Sequence, residues 1–375
     1  MDILTILAFI AGLALLIGGA DMLVRGASRL AVAFGVSPVI IGLTVVAFGT
    51  GSPEMAISMK SGLAGTPNIA LGNVIGSNIC NVLIVLGLAA VAAPLIVQHR
   101  LVRFDVPVML LSTLVVWWMA ADGNISRVEG AILFVAMVGY TVAVLRASRT
   151  VTQPEAEDYA EFIEEYTEPE DETRVPWYKD AVFIVTGLGA LILGSNWVVN
   201  GAVLFAETLG ISDLIIALTV VAIGTSLPEI VTSVVAAMHG ERDIAVGNVI
   251  GSNIFNILAV LGLVAAASGP GIAVAPEALA FDLPVMAAVA ALCLPIFLTH
   301  MTIARWEGVM LLGFYAAYTA YLVLSVSASP ALPLFGRLMV WLVFPATVVA
   351  LAVSAVRGMR ASRAASQSDP SASTP

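Results

Sequence analysis

Two segments of this chain each occur twice, and the same 175 positions separate both pairs. Residues 42–58 read GLTVVAFGTGSPEMAIS and residues 217–233 read ALTVVAIGTSLPEIVTS, alike at 10 of 17 positions. Residues 72–87 read GNVIGSNICNVLIVLG and residues 247–262 read GNVIGSNIFNILAVLG, alike at 13 of 16. A shared offset means that the connection between the segments was kept as well. The repeat runs further: Phe104-Asp105-Val106-Pro107 returns as Phe281-Asp282-Leu283-Pro284, and Arg127-Val128-Glu129-Gly130 as Arg305-Trp306-Glu307-Gly308. The chain is therefore two copies of one unit.

The unit is built for a bilayer. Of 375 residues, 59% are hydrophobic and 11% charged, and apolar runs recur at the length that crosses a hydrocarbon core. The start, Met1-Asp2-Ile3-Leu4, has no basic stretch and no small-residue cleavage site, so the first apolar run reads as a retained span. The expected fold class is an all-α polytopic membrane protein: five spans in residues 1–145, a linker at 146–179, five spans in 180–325, an eleventh span in 326–356 and a cytoplasmic, disordered tail at 357–375. Five is odd, so the second copy enters the membrane from the opposite side, which is an inverted-topology repeat.

Charge sets the orientation. The net charge of -10 is local, because ten of the 26 acids lie between Glu155 and Glu172. The remaining 16 acids match the 16 Lys and Arg, and nothing points to nucleic acid. With the N-terminus outside and the C-terminus inside, 13 of the 16 basic residues fall on the cytoplasmic side, leaving Lys60, Arg127 and Arg337 outside. A cytoplasmic inner membrane is the expected location, and the acidic linker is cytoplasmic.

Each motif sets one carboxylate, Glu54 or Glu229, in an apolar stretch, where it costs several kcal/mol unless partnered. Gly49, Gly51 and Pro53 crowd together before Glu54, so the second span should break there. A break frees carbonyl oxygens, which a bilayer tolerates only where they are buried or line a wet cavity. Thr50 and Glu54 share a face if helix resumes; Thr225, Ser226 and Glu229 repeat the set. Spans 3 and 8 add Asn73, Ser77, Asn78 and Asn81, then Asn248, Ser252, Asn253 and Asn256. Two Glu, hydroxyls, amide oxygens and backbone carbonyls at the midplane form an all-oxygen site of the kind that suits Ca²⁺ and other hard cations. No nucleophile–base set or H-E-x-x-H motif suggests an enzyme, and no cofactor is expected.

These motifs resemble those of the cation/Ca²⁺ antiporters, which include the Na⁺/Ca²⁺ exchangers and carry G-T-S-x-P-E and G-N-x-x-G-S-N-x-x-N in both halves. The resemblance implies Ca²⁺ bound by Glu54 and Glu229, with backbone carbonyls of Thr50 and Thr225. It implies flanking cation ligands at the Ala47 and Ala222 carbonyls and the hydroxyls of Ser77, Ser252 and Ser226. It also implies that spans 1 and 6 slide as a pair, in exchange of Ca²⁺ for Na⁺ by alternating access. Two positions depart. Gly51 stands where the motif has Ser, and Asn81 and Asn256 stand where several sodium-coupled members have one Asp. A H⁺/Ca²⁺ exchanger is the alternative.

The remaining polar positions read as follows. Asp105 and Asp282 are expected as helix-start charges at the interface. Glu129 and Glu307 are expected to pair with Arg127 and Arg305. His99, His239 and His300 fall near loop ends. Cys80 and Cys293 read as small buried hydrophobes. Gly72 with Gly76, and Gly247 with Gly251, form faces for close helix approach.

Overall fold

The structure, a computed structural model, describes residues 3–147, 177–209, 216, 220, 222–269, 271–298 and 301–354. The acidic linker, the tail after 354, most of the start of the seventh span and His300 lie outside these residues. The described chain is almost entirely helical: α1 Ile3–Phe34, α2 Pro38–Thr50, α3 Ser52–Leu63, α4 Pro67–Ala92, α5 Leu101–Asp122, α6 Arg127–Ala147, α7 Trp177–Thr208, a helical turn Ala222–Thr225, α8 Leu227–Met238, α9 Arg242–Ala267, α10 Ala278–Leu298, α11 Arg305–Val326 and α12 Leu332–Ser354. Among the described residues nine helices are long and apolar enough to cross a membrane, ten if the bent pair α2–α3 is one span.

α1 and α7 are each 32 residues long. At 1.5 Å per residue that is about 48 Å, longer than a bilayer core of about 30 Å, so both must tilt. They pack against each other along facing glycines. A Cβ at Gly12 would lie 2.9 Å from the Gly194 carbonyl oxygen, and one at Gly19 would lie 2.8 Å from that of Gly187. Such contact lets two backbones meet without side chains between them. The two innermost helices are α4 and α9, which carry the GNVIGSN segments, while α11 and α12 are the least buried of the spans. Gly247 and Gly251 of α9 close against α2: a Cβ at Gly251 would lie 2.7 Å from Leu43 backbone. No described atom lies within 4 Å of a Cβ built at Gly72 or Gly76, so the expected close approach on that face is not seen among the described residues.

Packing exchanges between the halves in pairs. Gly87 meets Gly308, and Gly130 meets Gly262. Two short antiparallel ribbons do the same: β1 (Leu95–Ile96) pairs with β4 (Thr302–Ile303), and β2 (Asn124–Ile125) with β3 (Ile272–Ala273). Loops gather at two ends. At one end Gln98, just after β1, donates to Asp243 Oδ2 and lies 3.5 Å from the Ser37 hydroxyl. At the other end Thr66, Asn68, Asn124 and Gly271 line a cavity of about 500 Å³.

Two expectations change. Asp105 is fully buried, not interfacial: it accepts a hydrogen bond from Tyr140 Oη at 2.9 Å and faces Arg100 at 3.5 Å. Asp282 accepts from Tyr318 Oη at 3.2 Å. Each Asp ends a π-helical turn, Leu101–Asp105 or Ala278–Asp282, whose wider winding turns the carboxylate towards the neighbouring helix. Glu129 and Glu307 cap their helices rather than pair with Arg127 and Arg305. Glu129 Oε2 accepts from Ser126 N at 2.8 Å, and Glu307 Oε2 accepts from Ala304 N at 2.8 Å. A helix start leaves N–H groups without partners, and an acid three residues in satisfies one. Arg127 Nε instead donates to the Ala266 carbonyl at 3.1 Å. Cys80 and Cys293 are both buried free thiols, but Cys80 is also part of the wall described next.

Candidate ion-binding site

The break comes where the sequence placed it. α2 ends at Thr50, α3 starts at Ser52, and their axes bend by 46°. Gly51 is the joint, with φ −77° and ψ 1°. Pro53 sits in the first turn of α3, where a missing N–H costs nothing. The last carbonyls of α2 lose the next turn as partner; Ala47 still accepts from Gly51 N at 3.0 Å. The second half repeats the form: the turn Ala222–Thr225 stops, Ser226 is the joint at φ −90° and ψ 9°, and α8 starts with Pro228 in its first turn.

Both breaks aim a carboxylate inward. Glu54 and Glu229 are each 1% exposed. They are near enough to feel each other's charge, and the Thr50 hydroxyl stands within reach of Glu229. Thr50 Oγ1 also lies 3.1 Å from both the Val46 carbonyl and Asn248 Oδ1, so it bridges the first motif to the second. Asn248 Nδ2 donates to Ser233 Oγ at 3.0 Å, and Ser252 Oγ lies 3.5 Å from Asn248 Oδ1. The counterpart Asn73 Nδ2 donates to Ser58 Oγ at 3.0 Å. Asn81 Nδ2 donates to Asn253 Oδ1 at 3.1 Å, a second bridge between motifs. Asn81 and Asn256 both lie in π-helical turns, Asn81–Val85 and Phe255–Leu261.

Acceptor oxygens are left over. Both Glu54 oxygens, Glu229 Oε2, Ser226 Oγ and the amide oxygens of Asn78, Asn81 and Asn256 are buried without a hydrogen-bond partner. Buried polar atoms without partners are rare, and a group of acceptor oxygens around two carboxylates asks for positive charge. Among the described residues no three His, Cys, Asp or Glu side chains form a metal cluster. The ligands on offer are two carboxylates with neutral oxygens, a hard-cation set and not a zinc set.

Of the predicted residues, Glu54, Glu229, Thr50, Asn81, Asn256, Ser77, Ser252 and Ser226 are all buried. Thr225 ends its helical turn half-buried, and Ala47 and Ala222 each open the last helical turn before a break. The sequence reading missed three residues. Ser58 and Ser233 hold Asn73 and Asn248; both are matched in the repeat, which was a usable signal. Cys80 lies beside the Ser226 hydroxyl and near both carboxylates, and its partner position holds Phe255, so no repeat signal marked it. On the α7 side, Ser195 Oγ donates to the Gly224 carbonyl at 2.9 Å, tying α7 to the second break.

Fold and site together define a multi-pass membrane protein of the cation-exchanging kind. The model of the sodium/calcium exchanger protein family matches residues 4–146 and 179–324, and the chain belongs to that family. It is 34% identical over 345 residues to the sodium/calcium exchanger MaX1 of Methanosarcina acetivorans, covering 84% of this chain and 97% of that one. It is 36% identical over 316 residues to the inner membrane protein YrbG of Escherichia coli, covering 84% and 95%. The solved sodium-calcium exchanger NCX_Mj, soaked with zero Na⁺ and Ca²⁺, superposes with a TM-score of 0.72 at 32% identity, covering 86% of this chain and 100% of that one. The chain is a cation/Ca²⁺ antiporter by family.

Proposed function

We propose that this protein exchanges Ca²⁺ for Na⁺ across the cytoplasmic membrane, with Glu54 and Glu229 as the shared site. The observation that carries this is the set of partnerless buried oxygens around two carboxylates drawn from both motifs. Ca²⁺ neutralises the two Glu and takes up oxygens from Thr50, Thr225 and the Asn set; coupling cations, with the Ala47 and Ala222 carbonyls and the Ser77, Ser252 and Ser226 hydroxyls as candidate ligands, displace it.

The access route follows from a difference between matched helices. α1 packs along α8, while α7 does not cover α3 to the same extent. Ile57 of α3 is therefore 39% exposed, while its repeat counterpart Thr232 of α8 is fully buried. We take the Lys60 side of α3 as the access route to carboxylates that are themselves buried. Two halves of inverted topology can exchange these environments, so that α7 covers α3 and α1 leaves α8. That exchange is alternating access, and the glycine-faced α1–α7 pair moves as a unit. The paired glycine contacts and crossed ribbons support the inverted 5+5 reading with α12 as an added span. The positive-inside distribution supports an external N-terminus, which makes the α3 end extracellular.

A proton-coupled exchanger is the second reading. It is favoured by the amides at Asn81 and Asn256, which leave two carboxylates to titrate at the centre. Proteoliposomes distinguish the two. ⁴⁵Ca²⁺ uptake that needs internal Na⁺ supports the first; uptake into Na⁺-free choline vesicles driven by a pH gradient supports the second.

A further inference from the structure

The two halves match closely, yet they differ at two positions that touch each other across the halves. On one flank Gly51 faces Phe255. A Cβ at Gly51 would lie 2.9 Å from the Phe255 ring, and that ring also packs on Phe48 with centroids 4.4 Å apart. On the other flank the repeat positions are Ser226 and Cys80. Ser226 Oγ is fully buried without a hydrogen-bond partner, and the Cys80 thiol stands next to it. The differences are reciprocal: a large ring meets a missing side chain, and a small side chain meets a hydroxyl. One flank is filled by an aromatic ring, and the other by a hydroxyl and a thiol.

Resting on the exchanger reading above, we propose that this swap makes the site lopsided. Phe255 closes the Gly51 flank to cations, and Cys80 leaves the Ser226 flank as the one that takes the coupling monovalent cation. The chemistry is direct. A sodium-sized cation needs several oxygens in place of its water. The Ser226 flank offers a buried hydroxyl oxygen beside a thiol that lies within the field of both carboxylates, and that thiol is smaller than the Phe255 ring. The Gly51 flank offers aromatic carbon and the Ala47 carbonyl, 3.0 Å from a Gly51 Cβ and already accepting from Gly51 N. The swap also explains the Gly in the first motif: a serine side chain there has no space while Phe255 is in place.

The test is Na⁺-dependent ⁴⁵Ca²⁺ exchange in proteoliposomes, read as half-saturating Na⁺, Hill coefficient and maximal rate. Wild-type exchange is measured first and bears on the exchanger reading alone. Ser226→Ala is expected to raise half-saturating Na⁺ by about tenfold, the loss of one buried ligand, while equilibrium ⁴⁵Ca²⁺ binding stays within about twofold; Ser226→Thr restores the Na⁺ response. The double variant Gly51→Ser/Phe255→Cys rebuilds the second flank and is expected to raise the Hill coefficient for Na⁺ by about one. With wild-type exchange intact, an unchanged Na⁺ response in Ser226→Ala overturns the proposal, as does an unchanged Hill coefficient in a folded double variant. If the double variant does not fold, the Ser226 pair decides.

Discussion

Thr50 and Asn248 lie 198 positions apart and meet at 3.1 Å, the hydroxyl of one motif on the amide oxygen of the other. The same amide holds Ser233 through its nitrogen. One side chain thus fixes the second motif's helices, α8 and α9, and reaches across to the break in the first. Thr50→Val keeps the shape and removes the donor. The expected result is a rise of about fivefold in half-saturating Ca²⁺, the worth of about 1 kcal/mol for one buried hydrogen bond. Transport titrations on protein of unchanged elution profile check it.

Tyr140 donates to the fully buried Asp105 carboxylate, with Arg100 beside it. Removing a donor from a buried carboxylate leaves it with too few partners and costs about 1–3 kcal/mol. Tyr140→Phe should lower the thermal midpoint of the detergent-purified protein. Tyr318→Phe, the counterpart on the less buried Asp282, should lower it less. Exchange at low temperature should survive in both, since neither residue belongs to the ion site.

His239 closes α8 and stands 3.6 Å from Asp21 of α1, whose Oδ1 also takes Arg25 Nε at 2.9 Å. The pair ties α1 to α8 in the conformation that covers this end. Removing the imidazole loosens that tie. His239→Ala should therefore raise the initial rate of exchange, measured as Na⁺-dependent ⁴⁵Ca²⁺ uptake into vesicles; a rate that His239→Ala leaves unchanged removes the pair from the account.

The sequence carried the site better than the surroundings. Glu54, Thr50 and Asn81 were legible because each returned at one offset, and Gly-Thr-Gly-Ser-Pro forced a break whose carbonyls needed company. Asp105 was not legible: its partner Tyr140 is 35 positions away, and only helix packing shows that they touch. Glu129 misled because Arg127 stood next to it, while the N–H groups it caps carry no mark in sequence. Cys80 and Phe255 were visible as a difference between repeats. That they answer Ser226 and Gly51 across the two halves is a property of the pseudo-symmetric packing, and neither repeat shows it alone.

The central claim is that Glu54 and Glu229 together hold Ca²⁺. Equilibrium ⁴⁵Ca²⁺ binding to purified protein at constant ionic strength, wild type against Glu54→Gln and Glu229→Gln, addresses it without transport. Each change keeps the shape and removes half of the site's charge, so the account predicts saturable one-site binding in wild type and a loss of at least about a hundredfold in affinity in each variant, with elution profiles unchanged. Binding within about threefold of wild type in either variant would contradict it.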